Sequence, residues 1–109
     1  MVTIGCDIEE IKRFANKGEA FYKKLFTPAE IAYCLQKSNP AQHFAARYCA
    51  KEAAVKALHS QGVKGVYYKD IEVTKCGDTP CINLDGFIIS VSLSHTKDYA
   101  FATVLVSTP

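Results

Sequence analysis

With 109 residues, 49% of them hydrophobic and 22% charged, a mean hydropathy near zero and a formal net charge of +2, the chain is expected to form one soluble globular domain spanning residues 1–109. It is near the size at which oligomerisation commonly adds stability. The hydrophobic share excludes a disordered chain, and so small a net charge gives no argument for nucleic acid. The opening MVTIGCDIEEIKRF has no long apolar run behind a basic region, so neither a signal peptide nor a membrane span is expected and the expected location is the cytoplasm.

In chain order, VTIGCDI is short, apolar and β-branched, which predicts a strand over Val2 to Asp7 with Asp7 at its end and a helix close behind. EEIKRFANK and EAFYKKLF, separated by Gly18, have helical spacing with basic residues outward. TPAEIAYCLQK is a strong helix start, because Thr27 can cap, Pro28 suits the first turn and Glu30 completes the S/T-x-x-E box. SNP ends that helix, and Pro40 opens a long one to about Leu58. After the flexible HSQGVKG the character changes: YYKDIEVTK alternates as a strand, CGDTP is a turn into CINL, and FIISVSLSHTKDYAFATVLV gives two strands joined around HTKD. The expected class is α+β, a single domain with helices packed on one face of a mainly antiparallel sheet.

The five cysteines form an odd set without C-x-x-C spacing. Cys6 and Cys49 have the setting of small buried hydrophobes, and a reducing compartment fits best. Cys76 and Cys81 can approach across a hairpin, but zinc would need two further ligands that the sequence does not offer.

The long helix carries a puzzle. At about 100° per residue, Phe44, Tyr48, Val55 and Leu58 share one stripe while Ala46, Ala50, Ala53, Ala54 and Ala57 cover the far side. A helix apolar on two opposite sides belongs between two layers. Two polar seams remain, one with Arg47 and Lys51 and the other with Glu52, Lys56 and His59, and Lys51 projects almost into the aromatic stripe. Snorkelling stems and a Glu52 to Lys56 pair are the bland explanation.

Three groups stand out: Asp7, then Glu52 with Lys51 and Lys56, then Ser94, His95 and Thr96 at the strand turn. Singly they pass as a cap, a solvated seam and a turn. Together they suit a phosphorylated substrate, since two carboxylates without soft ligands fit Mg²⁺ and the cations would hold phosphate charge. No P-loop or dinucleotide-binding glycine motif is present.

IGCDIEEIKRF, FAARYCAKEAAVKAL and VSLSHTKDYAFATV resemble the three signature segments of the holo-acyl-carrier-protein synthases, the small bacterial 4′-phosphopantetheinyl transferases. The resemblance runs in order over nearly the whole chain, including DIEV and the G-x-x-P turn at Gly77 to Pro80. It implies transfer of 4′-phosphopantetheine from coenzyme A to a serine of apo acyl carrier protein in fatty acid biosynthesis, releasing 3′,5′-ADP. By resemblance, Asp7 and Glu52 are Mg²⁺ ligands, and Arg47, Lys51, Lys56, His95 and Thr96 bind coenzyme A. Glu52, Lys56 and His95 are the catalytic set, with Glu52 the first choice to take the serine proton and His95 the second. Arg13 matches a carrier contact, and Lys17, Lys23 and Lys24 extend that surface toward an acidic partner. A homotrimer with the site between subunits is implied as well.

The sequence departs from the pattern at His59, Ser60 and Gln61, where many relatives have Gly-Thr-Gly, and at Val55, where a serine is common. KSNPAQH is also poorer in basic residues than in some relatives. Two rivals remain: a non-catalytic nucleotide- or RNA-binding module using Tyr67, Tyr68 and Phe101 beside lysines, and a structural subunit that has lost activity.

Overall fold

The computed structural model describes all of residues 1–109. In chain order it contains β1 (Val2–Glu10), α1 (Glu19–Leu25), α2 (Pro28–Leu35), α3 (Pro40–Ser60), β2 (Val73–Cys76), β3 (Thr79–Ile82), β4 (Ile88–His95) and β5 (Tyr99–Ser107). Short 3₁₀ turns cover Ile11–Phe14 and Tyr68–Asp70. The main sheet is antiparallel in the order β1, β5, β4, and β2 with β3 forms a separate hairpin. The α+β class is as expected, with α3 laid across one face of the main sheet.

Small residues decide that contact. Ala100, Ala102, Val104 and Val106 alternate to the inner face of β5 and are fully buried, as are Ala50, Ala53 and Ala57 of α3. Gly5 of β1 completes the fit: a Cβ there would stand 1.9 Å from the Ala53 carbonyl oxygen and 3.0 Å from the Ala57 nitrogen. Gly5→Ala must therefore push β1 from α3, and a loss of about 1–3 kcal/mol or more is expected in the unfolding free energy measured with urea.

The opposite side of α3 packs on an aromatic cluster, where Tyr22 stacks on Phe44 at 4.0 Å and Phe26 meets Phe44 at 5.0 Å between ring centroids. The two apolar sides read from the sequence are thus both occupied. The capping box of α2 also forms, with Glu30 N donating to Thr27 Oγ1 at 3.2 Å and Thr27 N to Glu30 Oε1 at 2.8 Å.

Several expectations need correction. The first strand does not stop at Asp7 but runs to Glu10, because β5 offers partners as far as Tyr99, and EEIKRF gives only a 3₁₀ turn instead of a helix. Likewise, YYKD is not strand, since the Tyr68 and Ile71 carbonyls accept from Lys51 Nζ and the Tyr67 amide donates to Asp70. Cys6 points from the outer face of β1 and is exposed, whereas Cys34 and Cys49 are buried and burial pushes both thiols up to about 12. Cys76 and Cys81 are joined across the β2–β3 hairpin with a Cα separation of 5.7 Å.

The outer face of the main sheet is uncovered. Ile4, Ile8, Phe101 and Leu105 lie exposed there, with Ile4 opposite Leu105 and Ile8 opposite Phe101 in the ladder.

Candidate active site

β1 and α3 bring the first cluster together. Thr3, Gly5, Asp7 and Glu9 alternate to the helix side of β1, and the close approach at Gly5 sets Asp7 against the α3 ridge carrying Cys49, Glu52 and Lys56. Lys56 Nζ donates to the Cys6 carbonyl at 3.0 Å and stands 3.3 Å from Asp7 Oδ1. The Asp7 side chain is only 10% exposed, and its Oδ2 is buried with no partner. Glu52, half-buried one turn before Lys56, takes part in no ion pair.

An orphaned buried carboxylate oxygen is costly unless something satisfies it. With Glu52 on the same ridge, the donors are hard oxygens, and no group of three or more acidic, His or Cys side chains converges on one point. This set fits Mg²⁺, which commonly uses one or two carboxylates together with substrate phosphate oxygens. Lys56 supplies a positive charge at the same place, which suits a diphosphate.

Glu9 lies outside the motif residues, although period-two alternation puts it on the face of Asp7. Burial first, and then the neighbouring Asp7 carboxylate, raise its carboxyl to about 7. Arg13 pairs with it at i,i+4, its guanidinium 5.5 Å from both the Phe14 and Tyr48 ring centroids. Lys23 pairs with Glu19 at 2.8 Å, Lys17 lies 5.5 Å from the Phe21 ring, and Lys24 is exposed. All four predicted carrier-side cations are thus on the surface of the turn and helix that follow β1.

The second cluster lies on the other flank of α3, since Arg47 and Glu52 are about 140° apart around the helix. Arg47 is 5% exposed, its Nε has no partner, and its guanidinium sits 4.0 Å over the Tyr33 ring. Lys37 Nζ lies 4.5 Å and Lys75 Nζ 6.0 Å from the same ring. Burial works to raise the Tyr33 phenol, but the charges of Arg47, Lys75 and Lys37 outweigh it and the phenol is held below its usual range. So many cations without an acidic partner make a site for an anion. Lys37 and Lys75 reach it from outside the motifs, which is why spacing does not reveal them. His95, at the end of β4, has Nε2 3.0 Å from Gln42 Nε2, while the Thr96 hydroxyl accepts from the Tyr99 amide at 3.1 Å and closes the turn.

His43 belongs to the same cluster. Burial, then Arg47 and Lys37, lower its pKa, so it stays neutral in the fold while the unfolded chain takes up a proton below about 6.5. Its stabilising contribution is full above that pH and is lost as pH falls through the lower folded value. The fall in Tm between pH 7 and pH 5 is therefore expected to be smaller in His43→Asn than in the parent.

Lys51 requires correction. Expected at coenzyme A, its side chain is instead 0% exposed, with Nζ 2.8 Å from Glu30 Oε1, 2.6 Å from the Tyr68 carbonyl and 2.8 Å from the Ile71 carbonyl. All three ammonium protons have protein acceptors, so none remains for a phosphate. The departing residue Gln61 also has a structural use, donating to Thr3 Oγ1 at 3.1 Å and to the Val106 carbonyl at 2.8 Å and so fastening the end of α3 to the sheet.

The RNA-binding alternative fails on geometry. Phe101 is on the outer sheet face, whereas Tyr67 and Tyr68 line a cavity with Val55 and His59 on the helix side, so the three rings form no common platform. No helix is long and apolar enough to cross a membrane.

Residues 3–104 match the model of the 4′-phosphopantetheinyl transferase superfamily. The chain belongs to this family. It is 43% identical to the holo-[acyl-carrier-protein] synthase of Thermodesulfovibrio yellowstonii, covering 95% of this chain and 96% of that one. It is 38% identical to the enzyme of that name from Chlamydia pneumoniae, over 96% of each chain. Among solved structures, the holo-(acyl-carrier-protein) synthase of Bacillus anthracis in complex with CoA (3′,5′-ADP) superposes with a TM-score of 0.84 at 28% identity, covering 98% of this chain and 96% of that chain. The Neisseria meningitidis synthase gives a TM-score of 0.85 at 28% identity, covering 99% of this chain and all of the other. In this transferase, Lys56 reaches Asp7 on one flank of α3 while Arg47 stacks on Tyr33 on the other, and His95 at the end of β4 meets Gln42 of the same helix.

Proposed function

We propose that this transferase moves 4′-phosphopantetheine from coenzyme A to a serine of apo acyl carrier protein. The observation that carries the reading is the buried, unpartnered Asp7 Oδ2 with Lys56 at its other oxygen, Glu52 standing one turn before Lys56 on α3. Asp7 and Glu52 would hold Mg²⁺, which supplies charge neutralisation at the diphosphate of coenzyme A when bound. Lys56 orients the same phosphates, and Arg47 with His95 and Thr96 holds the nucleotide end. The carrier serine oxygen bonds to the phosphorus that bears pantetheine, the bond to 3′,5′-ADP breaks, and the serine proton passes to Glu52. No nucleophile is required of this chain, because positioning and charge neutralisation carry most of phosphoryl-group transfer. Exposed Arg13, Lys17, Lys23 and Lys24 present positive charge to an acidic carrier.

The test is the intact mass of a bacterial apo acyl carrier protein incubated with this protein, coenzyme A and Mg²⁺, with and without EDTA. A gain of one phosphopantetheine group, absent with EDTA, is expected. No gain on a folded carrier, with coenzyme A unbound, would sink the reading.

A homotrimer with the site between subunits is part of the same proposal. Three facts support it: the two clusters lie on opposite flanks of α3, none of Asp7, Glu52 and Lys56 lines a cavity of the single chain, and an apolar sheet face stands exposed. Ile8→Lys with Phe101→Glu is expected to convert a particle of three times the 12.0 kDa chain mass into a monomer that folds but does not transfer. Sedimentation equilibrium measures this, and a parent protein that is already monomeric would remove the reading.

A further inference from the structure

Near its C-terminal end, α3 walls a cavity of about 280 Å³, where Val55 and His59 of the helix face Gly65, Val66, Tyr67 and Tyr68 of the segment that follows. Hydrogen bonds hold both walls. Lys51 Nζ donates to the Tyr68 carbonyl at 2.6 Å and to the Ile71 carbonyl at 2.8 Å, and the Tyr67 amide donates to Asp70 Oδ2 at 2.9 Å. Gln61 fastens the end of the helix to the sheet, donating to Thr3 Oγ1 at 3.1 Å and to the Val106 carbonyl at 2.8 Å. The cavity is thus built on backbone that is already fixed.

Helical geometry joins it to the candidate site. At about 100° per residue, His59 and Glu52 project within about 20° of each other two turns apart, and Val55 lies between them along the axis. Lys56 stands one turn before His59, so a diphosphate held at Lys56 has the cavity about 5–6 Å further along the helix. No lysine, arginine or carboxylate lines the cavity, which therefore suits neither a phosphate nor a cation. Its volume is at the small end of the roughly 300–1,000 Å³ typical of small-molecule sites, enough for one arm of a ligand and not for a nucleotide as well. The lining mixes the methyls of Val55 and Val66 with two phenols and an imidazole, the His59 and Tyr67 side chains being exposed. An uncharged arm carrying methyls and amides beside a diphosphate fits it, because the methyls meet the valines while the amides pair with the imidazole and phenol groups.

We propose that this cavity is a subsite for the pantetheine arm of coenzyme A, and that Val55 and His59, two positions where the sequence departs from the family pattern, determine how tightly the arm is held. This rests on the reading of coenzyme A as the donor. The test is isothermal titration calorimetry of the full-length protein with Mg²⁺ and without a carrier, comparing coenzyme A with 3′,5′-ADP, which keeps the nucleotide and lacks the arm. Val55→Phe fills the cavity, and Tyr67→Ala removes one wall at a side chain 74% exposed, which spares the core. Each is expected to weaken coenzyme A about tenfold and to leave 3′,5′-ADP unchanged, in line with the loss of apolar pocket contacts. His59→Ala is expected to weaken coenzyme A about three- to tenfold through one lost hydrogen bond, again with 3′,5′-ADP unchanged. Unchanged binding of 3′,5′-ADP also shows that each variant folds. Equal losses for both ligands, or coenzyme A unaffected in all three variants, overturn the inference while leaving the donor reading intact. If the parent binds neither ligand, the donor reading itself fails and the inference falls with it.

Discussion

Glu52→Gln is expected to lower Mg²⁺-dependent transfer at least a hundredfold, with no change in far-UV circular dichroism. Disturbing a group behind a metal ligand typically costs about 10–100-fold, and removing a proposed ligand carboxylate outright should exceed that. Glutamine keeps the shape but not the charge, so a diphosphate and its cation lose one of the negative donors that this chain offers them. The fold should be indifferent, because Glu52 is half-buried on a helix flank and pairs with no basic residue. Asp7→Asn is expected to behave alike in transfer. The rate of mass gain on the carrier at several Mg²⁺ concentrations measures both. An E52Q rate within tenfold of the parent would falsify the assignment.

Lys51→Met carries the largest expected loss of stability, about 3–5 kcal/mol, because it leaves the Glu30 carboxylate buried without its cation. Against a total of about 5–15 kcal/mol for a domain, that removes a third or more of the stability. Glu30 is also an acceptor for the Thr27 amide and, at 2.8 Å, for the Val73 amide, so it joins α2, α3 and β2 through one side chain. The double change Lys51→Met with Glu30→Leu should recover part of the loss, since two apolar groups replace a buried pair. It should still fall short of the parent by about 1–3 kcal/mol, because the Thr27 and Val73 amides lose their acceptor. Chemical denaturation of the parent, the single and the double variant measures all three. A single variant within about 1 kcal/mol of the parent would show that the pair contributes little net stability.

Local signals that act within a few residues suffice for the α2 cap at Thr27 and Glu30, the long α3 from Pro40, and the β4–β5 hairpin around His95 to Asp98. The failures at EEIKRF and YYKD have the opposite origin. There, partners distant in sequence, the end of β5 in one case and the Lys51 ammonium in the other, take the backbone groups that local propensity assigns elsewhere. Cys6 is exposed against expectation because an apolar strand does not say which of its faces the core will take.

The candidate site divides in the same way. Residue types and their spacing are enough to single out Asp7, Glu52 and Lys56 as candidates for a hard-donor, phosphate-handling set, because that chemistry is written in side-chain identity and helical period. Only the tertiary structure decided that Lys51, their neighbour in sequence, turns inward to Glu30. One step along a helix rotates a side chain by about 100°, enough to carry it from the solvent seam into the core. Likewise, only packing could bring Tyr33, Lys37 and Lys75 around Arg47, and Glu9 beside Asp7. Those meetings depend on where whole elements settle, and the close approach that settles β1 on α3 comes down to the absence of a Cβ at Gly5.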